Sequence, residues 1–268
     1  FLILMVLLVN SFVLAETNEK VDKAYNCLKN KLGNNCGDTK NTQENSFNLL
    51  AMAYDSGIQS DCRASLENKK KNNCWGVEKD SNCDIKSTAI ATLALKTIGK
   101  NVDSYVDWLL KRKELTTGLT WFLEIDSANS TECEINGQTI TIDENKKIIG
   151  SDPAGLSKAY DNYWYEIKDI GENYTISCNE DFITSLLYTK QGSNVYHISS
   201  ETHSAAAFDS TSEKVESYCF VISEQCEYEG SLWAVLALAK AGKDISPFVP
   251  YIYAMADEPE NKKYLPYA

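Results

Sequence analysis

Few residues of this chain have the types and spacing that catalysis or metal binding requires. The only two histidines are His197, on a predicted strand, and His203, in a predicted polar loop. A pair at this spacing does not make a metal site by itself, because zinc sites bring three or four ligands together. The sequence also lacks the nucleophile-elbow, dinucleotide-binding, P-loop and zinc-protease patterns. We therefore predict no metal and no cofactor.

Nine cysteines indicate disulfide chemistry, which belongs to oxidising compartments. The odd number leaves one cysteine without an intramolecular partner. Cys133, Cys178 and Cys219 fall in predicted strands, so a bridge between sheets is a candidate whose pairing stays open. Short separations along the chain favour three local bridges: Cys27–Cys36, Cys62–Cys74 and Cys219–Cys226.

The chain is rich in aromatic residues, with five Trp and fifteen Tyr. Most of them are expected in the core or in cross-strand packing. The run Tyr163, Trp164 and Tyr165 is the exception, because three consecutive aromatic side chains cannot all face one core. Tyr and Trp suit recognition, since they bury area while keeping a polar group available. We predict this run as a binding site for a protein or a glycan.

The N-terminal segment predicts export. The first nine residues are apolar, and Val13 and Ala15 fit a signal-peptidase site, so residues 1–15 read as a partial signal peptide. A membrane anchor is the alternative, although the apolar run is shorter than the roughly 20 residues of a spanning helix. Asn129 and Asn173 begin Asn-x-Ser/Thr sequons and are candidate glycan acceptors. We expect an extracellular or cell-surface protein.

The elements that must position these residues begin with a repeated Ala- and Leu-rich pattern. The stretch Ser87–Leu110 has a copy that starts at Ser231, and the two align when Gly99 is matched with Gly242. A weaker copy ends at Gly57, which is 42 residues before Gly99. A period in the forties that holds two helices is typical of helical repeat arrays.

Between the second and third copies the sequence changes to alternating Thr, Tyr, Ile and Val. Asn136-Gly137 lies between two alternating runs and predicts a hairpin. About seven short strands with regular turns indicate an antiparallel β-sandwich. We therefore expect four segments: a partial signal peptide over 1–15, helical repeats over 16–120, an inserted sandwich over 121–226, and a truncated returning repeat over 227–268.

The repeated unit resembles the prenyltransferase/squalene-cyclase repeats of the α/α-toroid superfamily. The resemblance is carried by Ser87-Thr88-Ala89, by Leu93-Ala94-Leu95 with Gly99, and by Trp108-Leu109-Leu110. It covers residues 40–120 and 228–268, about half the chain. It implies an α+β multidomain protein in which an incomplete set of helical hairpins of α/α-toroid type is interrupted by the sandwich.

The catalytic motifs of that superfamily are not preserved. Where class II cyclases carry an acid cluster, this chain keeps Asp84 but has Lys86 and Ser87 in place of the central acids, so Asp84 is a weak catalytic candidate and reads as a helix N-cap. The Asp-x-Cys zinc motif of prenyltransferases is absent, since Cys83 precedes Asp84 directly. The thioester motif also fails, because the segment 36–39 ends in Thr.

The net charge of −12 argues against a general nucleic-acid binder, which needs clustered cations. We expect membrane contact only through the N-terminal segment. Our main hypothesis is an exported, non-catalytic binding or cell-surface module whose ligand is a protein or a glycan. The alternative is a terpene-cyclase-like or prenyl-binding enzyme with its active site in further C-terminal repeats.

Overall fold

The fold is given by a computed structural model that describes residues 19–264, except 34–35, 37–38 and 223. The predicted signal peptide over 1–15 lies outside the described residues. The chain forms two compact units. One contains the residues up to Arg112 together with Trp233–Lys243, and the other contains Lys113–Leu232 together with the residues from Asp244 onward.

The first unit is helical. Polar side chains cap the N-termini of three of its helices, since Asn41, Asp55 and Asp84 each accept a hydrogen bond from a backbone N–H of the first turn. The Ala/Leu-rich helix α4 is buried on most of its surface, which explains its weak amphipathic pattern. The helices are α1 (19–32), α2 (Thr42–Ala51), α3 (Ser56–Asn68), α4 (Ile85–Thr97), α5 (Asp103–Leu110) and the larger part of α6 (Tyr228–Lys240).

Two of the three glycines that align the repeats end helices. Gly99 and Gly242 follow α4 and α6 with φ of 75° and 76°, a backbone conformation that favours glycine. Gly57 instead lies in the first turn of α3, two residues after the N-cap Asp55. The prediction of a third, weaker copy of the repeat is therefore wrong. The 42-residue spacing measured from Gly57 does not mark a structural repeat.

The second unit is mostly β-structure. Its strands are β1 (Lys113–Leu115), β2 (Leu119–Ser127), β3 (Thr131–Ile135), β4 (Gln138–Ile142), β5 (Ile148–Ile149), β6 (Leu156–Ala159), β7 (Trp164–Ile167), β8 (Asn173–Cys178), β9 (Phe182–Lys190), β10 (His197–Ala205), β11 (Ser210–Lys214), β12 (Tyr218–Ile222) and β13 (Gln225–Cys226). Helix α7 (Val249–Ala256) follows a 3₁₀ turn over Ser246–Phe248.

Two five-stranded antiparallel sheets share one hydrophobic core. The first sheet has the order β10-β9-β2-β7-β6 and the second has the order β11-β8-β3-β4-β5. A smaller sheet has the order β1-β12-β13. The hairpin predicted at Asn136-Gly137 is confirmed, because these residues connect β3 to β4 with φ of 47° and 87°.

The predicted fold class, an α/α toroid interrupted by a sandwich, is wrong. The protein has a mixed, β-rich fold with strands in three sheets and short helices. Helix α7 does not continue a helical array, since Ala254 packs into the β core. A periodic apolar pattern requires only that one helix face be covered, and a sheet covers it as well as a second helix does.

Candidate binding site

Asp84 has a structural role at the start of α4. Its carboxylate Oδ2 accepts a hydrogen bond from the backbone N–H of Ser87 at 2.8 Å. This contact is the N-cap that the sequence predicts. The carboxylate is therefore engaged in capping the N-terminus of α4.

One of the three predicted local disulfides is confirmed. Cys219 pairs with Cys226, only seven residues away. The prediction of Cys27–Cys36 is wrong, because Cys36 pairs with Cys62 across 26 residues of sequence, with 4.9 Å between the Cα atoms. Cys62 lies on α3, whereas Cys36 lies before α2 and is contacted by Asn45 of that helix. Sequence separation does not report this tertiary contact.

The prediction of Cys62–Cys74 is likewise wrong, because Cys74 pairs with Cys83. The strand cysteines form a bridge inside the second sheet, where Cys133 of β3 lies directly opposite Cys178 of β8 with 4.0 Å between Cα atoms. Cys27 is exposed on α1 and has no disulfide partner among the described residues.

These four disulfides fit an oxidising environment. In the part of the chain that the structure describes, no helix combines the length and the apolar character needed to cross a bilayer. Both sequon asparagines are solvent-exposed, Asn129 in the loop before β3 and Asn173 at the start of β8.

The predicted aromatic run divides between two faces of the first sheet. Tyr165 is fully buried in the shared core, and burial raises its pKa. It therefore cannot contact a ligand at the surface, which corrects the prediction for this residue. Trp164 points to the opposite, outer face and is half-buried, whereas Tyr163 is 42% exposed in the preceding turn. The period of two along β7 separates the three side chains.

Trp164 belongs to a cluster of four rings on the outer face of the first sheet. We call this set the aromatic cluster: Phe122, Tyr160, Trp164 and Tyr196. The ring centroids of Tyr160 lie 4.8 Å from Trp164 and 5.2 Å from Tyr196. The ring of Phe122 lies 5.3–5.9 Å from the other three. Tilted and edge-to-face arrangements at these distances are favourable for aromatic pairs.

Side chains alternate between the two faces along each strand, and this alternation brings Phe122 and Trp164 to the outer face. On β2, Trp121 and Leu123 enter the core, so Phe122 points outward. Phe122 is nevertheless only 3% exposed, because the three other rings cover it. Tyr160 remains 45% exposed and forms the accessible part of the cluster.

A turn with an unusual backbone presents Tyr160. Three consecutive residues, Tyr160, Asp161 and Asn162, have positive φ values of 50°, 55° and 68°. This conformation costs non-glycine residues about 1–2 kcal/mol each, although Asp and Asn tolerate it best. The carbonyl of Asn162 accepts a hydrogen bond from the N–H of Ile148 at 2.8 Å, which holds the turn in place. Strained backbone of this kind is concentrated at functional sites.

Two clefts lie beside Tyr160 and share its side chain as a wall. The first cleft has a volume of about 480 Å³ and is also lined by Phe122, Tyr196 and a polar loop over 190–193. The second has a volume of about 450 Å³ and is lined by Trp164, Tyr163, Glu124, Ile125, Asp126 and Lys146. Ring surfaces and hydrogen-bonding groups are therefore adjacent in both clefts.

The polar groups around the cluster are largely paired. The indole N–H of Trp164 donates to Glu124 Oε1 at 3.2 Å. Lys147 contacts Asp161 at 2.5 Å, and the hydrogen bond to that carboxylate raises the pKa of Lys147. These contacts fix the orientations of the indole ring and of the turn.

The histidines predicted to have no metal role lie on β10. The ring of His197 stacks on Tyr188 with centroids 5.1 Å apart, and His203 Nδ1 lies 2.8 Å from Glu213 Oε1. Among the described residues, no group of three or more His, Cys, Asp and Glu side chains has the arrangement to hold a metal ion.

The sequence pattern does not indicate Phe122, Tyr160 or Tyr196 as site residues. One signal was available, because Tyr160 precedes Asp161 and Asn162, two residue types that favour turns with positive φ. The sequence does not predict that β2, β7 and β10 bring these rings together, because their proximity depends on the order of the strands within the sheet.

The chain matches no family model, no curated protein and no solved structure in the corresponding comparisons. The resemblance to prenyltransferase/squalene-cyclase repeats therefore stays an untested prediction. The function has to be argued from the geometry of the aromatic cluster.

Proposed function

We propose that this protein is an exported, non-catalytic module that binds a neutral glycan chain at the aromatic cluster. The observation that carries the proposal is the ring of Tyr160, which is 45% exposed, backed by three other rings and shared by two clefts. A packed, outward-facing aromatic group on a sheet face is uncommon without a ligand to cover it.

The chemistry of the clefts suits sugars better than an apolar peptide. A sugar ring has an apolar C–H face that packs on an aromatic ring and a rim of hydroxyl groups that need hydrogen-bond partners. The cluster supplies ring surfaces, and Glu124, Glu166 and Gln191 supply polar partners at its edges. Ligand sites generally combine apolar walls with a few such polar groups.

Two clefts that share one wall favour an extended ligand. A ligand that fills both has to pass over Tyr160, so it needs at least one sugar unit on each side of that ring. A single monosaccharide would occupy only one of the two volumes. We therefore propose an oligosaccharide or a polysaccharide segment as the ligand.

The charges near the clefts favour a neutral chain. The lysines that line them have carboxylate partners: Lys146 lies 3.7 Å from Asp126, Lys158 lies 2.6 Å from Asp152, and Lys190 pairs with Glu258. Paired cations attract an anionic ligand weakly, because the neighbouring carboxylate repels it. Because these lysines are already paired, we propose a neutral glycan rather than an acidic one as the ligand.

The four disulfides support an extracellular or cell-surface location for this module. In that location a glycan-binding face meets polysaccharides and glycoproteins directly. The absence of catalytic motifs in the sequence fits binding as the whole activity of the described region.

The test is a screen of neutral oligosaccharides followed by calorimetric titration with Tyr160→Ala. We expect Tyr160→Ala to weaken the affinity about tenfold or more, since a central aromatic contact contributes more than 1 kcal/mol. The matched control is Tyr253→Ala, which removes another exposed tyrosine, 57% exposed on α7 and outside both clefts.

The proposal fails if Tyr160→Ala and Tyr253→Ala have equal effects on glycan affinity. It also fails if no neutral oligosaccharide binds while a protein partner binds in a Tyr160-dependent way, which would make the cluster a protein-docking surface. Trp164→Phe adds detail: we expect a smaller loss than for Tyr160→Ala, because a smaller aromatic ring remains while the N–H to Glu124 is removed.

A further inference from the structure

A further cavity lies in the same unit and shares no lining residue with the two clefts. Its volume is about 300 Å³. Residues of the edge strands β10 and β11 form its walls. Leu186 of β9, the neighbour of β10, and Trp121 of β2, the next strand in the sheet, also line it. The cavity therefore lies where the edges of the two sheets meet. Small-molecule sites are generally clefts or cavities of about 300–1,000 Å³.

A buried carboxylate enters this region from β11. Burial alternates along that strand, and Glu213 occupies an inward position with only 2% exposure. Its Oε1 accepts a hydrogen bond from Thr184 Oγ1 at 2.5 Å and lies 2.8 Å from His203 Nδ1. A buried carboxylate is costly unless it is paired, and an apolar residue would pack here at lower cost.

The paired imidazole faces a second acid. When His203 Nδ1–H donates to Glu213, the neutral ring has Nε2 as an acceptor. This nitrogen lies 3.9 Å from Glu201 Oε2. Nε2 and the Glu201 carboxylate are both acceptors and do not satisfy each other. A ligand with several N–H groups can donate to both acceptors.

The wall of the cavity on β10 is a β-bulge. Ile198 pairs with Leu187 and Thr202 pairs with Ser185, so three residues of β10 oppose the single residue Leu186. Those three residues are Ser199, Ser200 and Glu201, and all of them line the cavity. Bulges redirect side chains and are enriched next to functional sites.

Trp121 provides a separate indication of a ligand. It lines the cavity, is 2% exposed, and its indole Nε1–H has no hydrogen-bond partner. Buried polar groups in native proteins are nearly always satisfied, so an orphaned donor indicates a missing acceptor. A ligand with an oxygen atom would supply it.

The rim of the cavity is acidic. Glu201, Glu216 and Asp244 line it, against one cation, Lys214. Asp244 accepts hydrogen bonds from the backbone N–H of Ser246 at 2.9 Å and from its hydroxyl at 3.0 Å, and the backbone bond lowers the pKa of this carboxyl. The rim therefore attracts positive charge.

We infer that this cavity binds a small organic ammonium compound that also carries an oxygen acceptor, of the amino-alcohol type. The ammonium group donates to His203 Nε2 and to the carboxylates of the rim, since it has three N–H donors and no acceptor. The oxygen accepts from the indole N–H of Trp121. The site is independent of the proposed glycan-binding face.

The experiment is an NMR titration with 4-amino-1-butanol, with 1,4-butanediol as the matched neutral compound. The chain has only two histidines, so the ring signals of His203 are followed directly and His197, which does not line the cavity, serves as an internal control. We expect a saturable shift of the His203 signals and a dissociation constant about tenfold higher for the diol.

Two variants test the assignment without removing buried groups. Glu216→Gln and Glu201→Gln change exposed residues of the rim, and each is expected to weaken binding of the amine about three- to tenfold. The control Glu132→Gln removes an exposed carboxylate of β3 that does not line the cavity and is expected to leave the affinity unchanged.

The inference is overturned if the amine produces no saturable shift of His203, if the diol binds equally well, or if the rim variants behave like Glu132→Gln. Trp121→Phe gives a further check, because it keeps most of the ring and removes the N–H. It is expected to weaken the amino alcohol but not 1-aminobutane, which has no oxygen atom. Equal losses for both ligands would remove Trp121 from the site.

Discussion

The two five-stranded sheets share a core but present different outer faces to solvent. On the second sheet, outward positions of β3, β8 and β11 carry polar side chains: Glu132, Glu134, Asn173, Thr175, Ser177, Ser210, Ser212 and Lys214. On the first sheet, the outward positions include Phe122, Trp164 and the exposed Ile183 and Ile198.

The difference shows which face requires a functional explanation. An antiparallel sheet with one face in water needs only alternation of apolar and polar residues, and the second sheet follows that rule. The first sheet departs from it where the aromatic cluster lies. The turn that presents Tyr160 to this cluster has three residues with positive φ values. We therefore assign binding to the first sheet.

The largest expected effect concerns the second sheet, which has a covalent link that the first sheet lacks among the described residues. Replacing Cys133 and Cys178 together by Ala should lower the free energy of unfolding by about 3–4 kcal/mol, because their bridge closes a 45-residue loop. Chemical denaturation measures this loss. The matched double substitution is Cys219→Ala with Cys226→Ala. The bridge that it removes closes a loop of only seven residues, so the loss of stability should be smaller, about 2 kcal/mol. The opposite order would show that loop closure does not dominate.

The second prediction compares equivalent outward positions on the two sheets. Phe122→Ala should lower the free energy of unfolding by about 3 kcal/mol, because this ring is covered by three others although it faces away from the core. Thr175→Ala on β8 should change it by less than about 0.5 kcal/mol. Equal effects in denaturation experiments would mean that the aromatic cluster is not a packed unit.

The third prediction concerns an inward residue of the first sheet at high pH. Burial raises the pKa of Tyr188 to about 12, above the ordinary value near 10. The unfolded chain therefore loses this proton first, so the contribution to stability is full below pH 10 and is lost as pH rises towards 12. Tyr188→Phe should reduce the fall in stability across this range by on the order of 1–2 kcal/mol.

The control for Tyr188 is Thr189→Ala, the neighbouring position on β9, which keeps the tyrosine and should leave the slope of stability against pH unchanged. Denaturant titrations at several pH values between 9 and 11.5 provide the slopes. If Tyr188→Phe has the same slope as the unmodified protein, the phenol is not protected from ionisation by the first sheet.

Several local features could be predicted from the sequence. Asp84 was recognised as an N-cap because its side chain and the following turn are close in sequence. The Asn136-Gly137 hairpin and the Cys219–Cys226 bridge have the same local character. In each case the interacting groups are within a few residues of one another.

The larger assembly could not be predicted in this way. Gly57 and Gly99 occupy similar positions in the pattern, yet one begins a helix and the other ends one. The repeat pattern suggested a toroid, whereas α7 is covered by the sheets. The pattern of a helix shows that it has a face to bury but does not identify the partner.

The sequence by itself determined the disulfide-forming cysteine content of the chain, the hairpin at Asn136-Gly137 and the presence of aromatic residues between 160 and 165. Tertiary structure alone decided that Tyr165 is in the core, that Tyr160 meets Phe122 and Tyr196, and that Glu213 pairs with His203. The physical reason is sequence distance, since strand order and register bring together residues that are far apart along the chain.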